Sequence, residues 1–477
     1  MSNNATARTT VRNTTWDELK VGDEASVERT ASAQDFYLFA HVTGNINPAN
    51  LPGSEEAEAL APSMWIGSLI SAVLGNRLPG PGTLYRVQNL TFHERVRIGD
   101  KLVAHARVVE KGEKPLATFE TRVSRADGTL VAQGVAEVEV PIATIEADAR
   151  QLPELIIDEH DHFGKLVDIA AQLPPLPTAV VSPDDHNSLG GAVLSAKKGL
   201  IVPILIGERA AIEKAAEELG ADISGYQLIE VDGHHAAAAK AVALVNAGEA
   251  GAIMKGNIHS DELLGQVVKR DGGLRGPRRL SHTFVLDVPT LDHLLFISDA
   301  AINIAPDLVT KVDITQNAID LAIACGLKQP RVGVLSAVET VNVNIPSTMD
   351  AAILSKMADR GQITGGIVDG PLAMDNAMDT EAARTKGITS LVAGQADVLI
   401  VPNLEAGNML AKELTFVGRA EAAGLVLGAK APVMLTSRAD NDRARLASAA
   451  LAQLYYYWRN NGRAFVPAAG ELAEAAE

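Results

Sequence analysis

Ala252-Ile253-Met254-Lys255-Gly256-Asn257-Ile258-His259-Ser260-Asp261 carries the pattern that decides the fold of most of this chain: a short aliphatic run, a polar loop, then the opening of a helix. The same succession recurs. Aliphatic runs at Ala179-Val180-Val181, Ile201 to Ile206, Val332 to Leu335, Ile367-Val368, Val398 to Val401 and Val433-Met434-Leu435 alternate with Ala-rich helical stretches. Strands that are apolar on both faces and alternate with helices predict a parallel sheet covered on both sides, so the chain from Pro174 onward reads as α/β.

In such a sheet, ligands bind beyond the carboxyl ends of the strands, where helix N-termini offer unpaired N–H groups to anions. Four polar loops follow the aliphatic runs: Lys255 to Asp261, Asp369 to Asp375, Pro402 to Asn408, and Thr436-Ser437-Arg438-Ala439-Asp440. We expect them to converge on one site. Between them, Lys269-Arg270-Asp271-Gly272-Gly273-Leu274-Arg275-Gly276-Pro277-Arg278-Arg279 sets five cations against one anion. Arginine bonds phosphoryl oxygens bidentately, so this segment suits phosphate or the phosphates of a nucleotide carrier. Each signal has a purely structural alternative: a solvated basic loop, a helix cap at Ser437 completed by Asp440, a turn at Asp369-Gly370-Pro371. No Walker loop, G-x-G-x-x-G fingerprint or zinc spacing is present, and the residue patterns alone lead to an anion-binding α/β enzyme.

Composition narrows the class further. A chain of 477 residues exceeds one ordinary core, so two or three domains are expected. The formal net charge of -17 disfavours nucleic acid or an anionic membrane as partner, while leaving room for a small anion held by a local basic cluster. Cys325 is the only cysteine, which rules out a disulfide within the chain and a thiolate metal cluster; no metal or prosthetic group is expected. Met1 to Thr15 is polar, and no run approaches the ~20 apolar residues of a membrane span, so a cytoplasmic location is expected.

Residues 16 to 140 read differently. Ser32-Ala33-Gln34-Asp35 resembles a capping box opening a short helix that ends at Thr43-Gly44-Asn45, and Pro62-Ser63 opens a longer one through Leu74, apolar nearly all round and therefore buried. Four strand-like runs follow at Leu84 to Phe92, Lys101 to Val109, Leu116 to Ser124 and Leu130 to Val140. One helix wrapped by an antiparallel sheet is the expected α+β architecture. The pattern fades and charge gathers over residues 141 to 158, which places a domain boundary there.

From about Phe163 to Trp458 the chain resembles the phosphate acetyltransferase and phosphate butyryltransferase family, with the butyryl-type branch expected to be the nearer. The stretches that carry the resemblance are Met254 to Leu264, Arg279-Leu280-Ser281-His282, Asp369 to Ala377, Pro402 to Leu410 and Ser437-Arg438-Ala439-Asp440. The resemblance implies two α/β subdomains around a cleft, a homo-oligomer, and exchange of a short acyl group between coenzyme A and inorganic phosphate, with CoA as substrate. It maps the family's serine and arginine onto Ser437 and Arg438, which would hold the tetrahedral intermediate and the phosphoryl group. It also implies substrate contacts at Lys255, Asn257, His259, His282, Asp369, Asn403 and Asn408. Two positions depart from the family pattern. Ala444 stands where phosphate acetyltransferases carry an aspartate that assists thiol deprotonation, so Asp440 or Asp442 is considered instead. Leu264-Gly265 stands where an arginine follows the His-Ser motif, and Arg279, with Arg275 or Arg278, is by its chemistry the candidate to supply that charge.

Over residues 15 to 140 the chain resembles R-specific enoyl-CoA hydratases of the MaoC-like, hot-dog type, through Phe39 to Asn50, Ala61-Pro62-Ser63-Met64, Leu78 to Thr83 and Gly99-Asp100. Active hydratases place an aspartate and a histidine where this chain has Asn45 and Asn50. The expected organisation is a hot-dog domain at 1–145, a linker at 146–160, and an acyltransferase domain at 161–477, with subdomain I at about 161–290 plus 440–465 and subdomain II at about 291–439. The leading expectation is a phosphate acyltransferase with a silent hydratase-like domain. The alternatives are a truly bifunctional enzyme and a non-catalytic scaffold that binds acyl-CoA.

Overall fold

The structure, a computed structural model, describes residues 10–51, 59–148, 161–435 and 441–467. These fall into two compact units that part between residues 148 and 161. The expected linker at 146–160 therefore lies largely outside the described residues. Its first part, Glu146–Asp148, is strand, paired antiparallel with Thr10–Arg12.

The first unit is a hot-dog fold. Its antiparallel sheet runs, in spatial order, Glu24–Thr30, Lys101–Lys111, Leu116–Arg125, Leu130–Glu139 and Leu84–Phe92, around the helix Ser63–Asn76. That helix buries Trp65, Ile66, Leu69, Ile70, Val73 and Leu74. The facing strands answer with every second residue, Leu102, Ala104, Ala106 and Val108 on one and Ala117, Phe119, Thr121 and Val123 on the next. The preceding helix, Ala33–Thr43, begins with the reciprocal Ser32–Asp35 capping box and ends at Gly44 with φ 70°. Sequence reading missed the strand Glu24–Thr30, because a mostly exposed strand offers only Ala25 and Val27 to the core and shows little apolar periodicity.

The second unit is built on one mixed sheet. Its spatial order is Gln227–Glu230, Ile201–Gly207, Leu176–Val181, Ala252–Lys255, Val433–Met434, Glu421–Leu427, Ser281–Asp287, Leu295–Ser298, Val398–Ile400, Arg331–Leu335 and Ile367–Leu372. The first five run parallel to one another. Glu421–Leu427 reverses direction, Ser281–Asp287 reverses it again, and Leu295–Ser298 reverses it a third time, after which the last four strands run parallel. The carboxyl ends of the two parallel sets consequently lie at opposite edges of the sheet. The last helix, Asp442–Asn461, is rich in small buried residues, Ala444, Ala447, Ala449, Ala450 and Ala452. It packs on His162–Ala170, His186–Lys197 and Leu308–Ala324. Among the described residues, no helix is long and apolar enough to cross a membrane.

His282, expected to meet substrate, lies inside the sheet. The residue is 3 % exposed on a central strand, with its ring 4.4 Å edge-on from Phe284. In the neighbouring strand Gly424, paired with Phe284, leaves room for the ring: a Cβ there would sit 2.9 Å from the imidazole. Burial disfavours the charged ring and lowers its pKa from 6.5 to about 4, against the opposing pull of the Asp299 carboxylate. An imidazole that stays neutral in the fold but protonates in the unfolded chain contributes stability above pH 6.5 that is lost as pH falls toward 4. Replacing it by His282→Gln is expected to flatten that acid limb, read as the denaturation midpoint followed from pH 7 to pH 4.

Candidate active site

Three neighbouring parallel strands, Leu176–Val181, Ala252–Lys255 and Val433–Met434, end at the same edge. Each is followed closely by a helix, respectively His186–Lys197, Ser260–Val267 and Asp442–Asn461. The edge therefore collects three helix N-termini, whose free N–H groups and positive dipole ends favour an anion. Asp185 caps the first, bonding Asn187 N and Ser188 N at 2.8 Å, and Asn441 caps the third, bonding Ala444 N at 2.8 Å. His259 occupies the cap position of the second, with no capping bond from its side chain.

Close backbone packing builds this edge. Gly256 N donates to Val181 O at 2.9 Å, and a Cβ on Gly256 would lie 2.2 Å from that carbonyl, so only glycine fits. Asn257 N then donates to Ser182 O, and Asn257 Nδ2 to Asp184 Oδ1, both at 2.8 Å. Lys255 ends its strand half-buried and His259 is exposed. Ser437, Arg438 and Asp440 lie outside the described residues. Their flanks are fixed: Met434 pairs with Met254, and Asn441 caps the last helix. Three further side chains escaped sequence reading. His234 stands 3.6 Å from Glu262 and 4.0 Å from Asp184, and the buried Arg445 gives its guanidinium to the carbonyl of Asn187. Asp184 follows a strand directly, a signal that could have been read; His234 and Arg445 are brought in by helices distant in sequence.

Two of the other expected loops, Asp369 to Asp375 and Pro402 to Asn408, follow strands of the second parallel set. Asp299, 2 % exposed, follows another strand of that set and ties down the chain behind it. Its carboxylate accepts from the backbone N–H groups of His282, Ala301, Ile302 and Asn303 at 3.0–3.2 Å and from Asn303 Nδ2 at 2.5 Å. Asn303 Nδ2 also donates to Leu280 O at 2.8 Å, and Asn408 Nδ2 to Ala300 O at 3.2 Å. Asn403 is a helix cap, accepting from Ala406 N at 2.9 Å, and Asp369 Oδ1 accepts from Gly370 N at 2.8 Å. Arg275, Arg278, Arg279, Asn303 and Asp313 line a cavity of about 550 Å³ there. Arg278 is already engaged, 2.6 Å from Asp320 and 3.1 Å from Asn317 Oδ1. Burial raises the pKa of Asp320, and Arg278 opposes that rise. The Arg279 side chain is exposed, and its backbone N–H donates to Asp313 at 3.0 Å.

In the first unit, Asn45 and Asn50 share the wall of one cavity of about 660 Å³ with Phe39, Thr43, Leu60, Met64 and Arg95. Asn45 Oδ1 accepts from Asn47 N at 3.2 Å, and Asn50 Nδ2 donates to Leu60 O at 2.8 Å. His41 is exposed and does not line this cavity.

Comparison with known proteins agrees with this geometry. Residues 230–453 match the family described as Phosphate acetyl/butaryl transferase. A phosphate acetyltransferase of Rhizobium meliloti is 57% identical over 293 residues, 61% of this chain and 93% of that protein. A phosphate butyryltransferase of Clostridium beijerinckii is 40% identical over 61% of this chain and 97% of its own length, so the butyryl-named relative is not the nearer of the two. A branched-chain phosphotransacylase from Enterococcus faecalis superposes with a TM-score of 0.53 at 29% identity, covering 59% of this chain and 99% of that one. The first unit matches an R-hydratase from Pseudomonas aeruginosa at 35% identity over 31% of this chain and 99% of that one, with a TM-score of 0.30. The mixed sheet, its edge of helix N-termini and the extent of these matches lead to one conclusion: through its second unit, this chain belongs to the phosphate acetyltransferase and phosphate butyryltransferase family.

Proposed function

We propose that the second unit exchanges a short acyl group between coenzyme A and inorganic phosphate at the edge where the helices opening at His186, Ser260 and Asp442 begin. The observation that carries this reading is that convergence of helix N-termini beside the chain segment 436–440. In one direction the CoA thiolate attacks the carbonyl carbon of an acyl phosphate, the C–S bond forms, the C–O bond to phosphorus breaks and phosphate leaves. In the other, phosphate attacks the thioester and the thiolate leaves. Both pass through a tetrahedral oxyanion, which donors fixed in advance stabilise without reorganisation. Ser437 and Arg438 take that task, and Lys255 and Asn257 contact substrate. Asp440 or Asp442 receives the thiol proton, since Ala444 has no group that could. The transferase domain spans 161–477, and the active form is a homo-oligomer. The basic cavity around Arg275 and Arg279 contributes to holding the anionic substrates.

The first unit is read as silent in hydration. An amide neither takes a proton from water nor gives one up at neutral pH, so Asn45 and Asn50 position water without activating it. The persistence of their shared cavity favours a retained capacity to bind acyl-CoA.

Release of CoA from acyl-CoA, measured with and without phosphate across acyl chain lengths, tests the main reading; turnover independent of phosphate would refute it. Arg438→Ala is expected to lower kcat by ~10²–10³-fold, the usual cost of one lost oxyanion donor. Arg279→Ala is expected to raise KM for phosphate or CoA with little change in kcat, the signature of lost uniform binding. The full chain is expected not to hydrate crotonyl-CoA, whereas the double substitution Asn45→Asp, Asn50→His is expected to hydrate it, each restored role being worth roughly 10²–10⁴-fold. Robust hydration by the unsubstituted chain would overturn the silent reading.

A further inference from the structure

A smaller cavity of about 220 Å³ adjoins the basic one and shares Pro277 and Arg278 with it. Its other walls come from the helix Leu308–Ala324, the turn at Gly428 and the end of the last helix. Asn317, Asp320 and Tyr455 are buried there, Arg278 is half-buried, and Arg459 is exposed.

The acceptors in this cavity already have donors. Asp320 Oδ2 accepts from Arg278 Nη1 at 2.6 Å and Oδ1 from Gln316 Nε2 at 3.0 Å, while Asn317 Oδ1 accepts from Arg278 Nη1 at 3.1 Å. The donors are in excess. Among the described residues the bonds of Arg278 run through Nη1, and those of Arg459 run through its own Nη1, to the carbonyls of Ala429 at 2.9 Å and Lys430 at 2.5 Å. A guanidinium carries further N–H donors on Nε and Nη2. Burial pushes the Tyr455 phenol up to about 12, the Asp320 carboxylate adds to the rise, and Arg459 and Arg278 oppose it. The hydroxyl therefore keeps its proton and is one more donor.

Charge and shape narrow the ligand. Arg278 and Asp320 cancel as an ion pair, and Arg459 leaves the cavity positive. The rings of Tyr455 and Trp458, their centroids 5.7 Å apart, form an apolar wall with Pro277. A planar carboxylate matches the guanidinium fork, and a short alkyl chain covers the rings; phosphate would bring more charge and nothing to cover them.

We propose that this cavity binds a short-chain carboxylate, its oxygens held by Arg459, Arg278 and the Tyr455 hydroxyl and its alkyl part laid against Trp458. Such a carboxylate remains when an acyl phosphate passes its phosphoryl group to another acceptor, so the ligand belongs to the class of compounds formed downstream of the transfer reaction. Because Arg278 lines both cavities, occupancy of the smaller one weakens anion binding in the larger. That coupling rests on the reading of the larger cavity as a substrate site; the binding itself does not.

Calorimetric titration of sodium butyrate into the full chain at constant ionic strength is expected to show saturable binding. Arg459→Gln removes a guanidinium from an exposed helix end, and Tyr455→Phe removes the hydroxyl but keeps the ring. Each is expected to weaken butyrate binding about tenfold or more, the usual effect of losing a hydrogen bond to a charged group, with KM for acyl-CoA and phosphate unchanged when butyrate is absent. Butyrate is expected to raise KM for phosphate or CoA in the unsubstituted chain and to lose that effect in Arg459→Gln. Absence of saturable binding, or unchanged butyrate affinity in both variants, would overturn the proposal. A raised KM for phosphate in the variants, with inorganic phosphate displacing butyrate at comparable affinity, would also overturn it by making the cavity part of the substrate site. Absence of phosphate-dependent release of CoA would instead bring down the reading of the transfer site, and the butyrate titration, which needs no turnover, would still decide the proposal.

Discussion

Val433 and Met434 form a strand of two residues, paired on one side with Ile253 and Met254 and on the other, through Val433, with Val426. The first neighbour is parallel and the second antiparallel, so this short element sits where the direction of the sheet changes. It also fixes where the chain leaves the sheet ahead of the last helix, which Asn441 caps. All three strand partners are buried, and Val433 and Met434 are fully buried. A change of register by one residue would turn their side chains to the opposite face and move the start of the following loop.

The last helix is held as firmly. Small residues at 444, 447, 449, 450 and 452 let it lie close against helices from distant parts of the chain. Gln453 donates to the carbonyls of Leu173 and Pro174, and Arg459 to those of Ala429 and Lys430. Arg445 ties its first turn to the start of the helix at His186. A buried guanidinium is costly unless satisfied, so its engagement by the Asn187 carbonyl links two of the three helix ends rather than adding binding charge.

Charge in this acidic protein works locally. The formal net charge of -17 repels anions at long range, but helix N-termini act within about one turn and arginine within hydrogen-bond distance. That is why a count of cations in the segment 269–279 overstated its strength: Arg278 is neutralised by Asp320, leaving Arg275 and Arg279 as the exposed guanidinium groups on the cavity wall. The first unit shows the complementary separation of architecture from chemistry. Its helix, sheet and cavity depend on apolar residues and caps, whereas proton transfer depends on single ionisable groups; Asn45 and Asn50 on the cavity wall carry amides, which do not ionise at neutral pH.

The sequence by itself determined the local elements. Period-two burial from Lys101 to Glu139, the Ser32–Asp35 capping box and the apolar strands before Gly256 and Gly370 were legible because they follow from interactions between residues close along the chain. Motif resemblance likewise reached the family. Only tertiary structure decided which loops share an edge, because strand direction is settled by pairing between segments far apart, and three reversals between Val433 and Leu295 cannot be read from aliphatic runs. The same applies to individual side chains. His282 carries a motif yet is buried on a central strand, and Ser182 carries none yet holds a φ of 50° between two neighbouring strands. Burial, strain and partnership are properties of what packs around a residue, and those neighbours arrive from other parts of the chain.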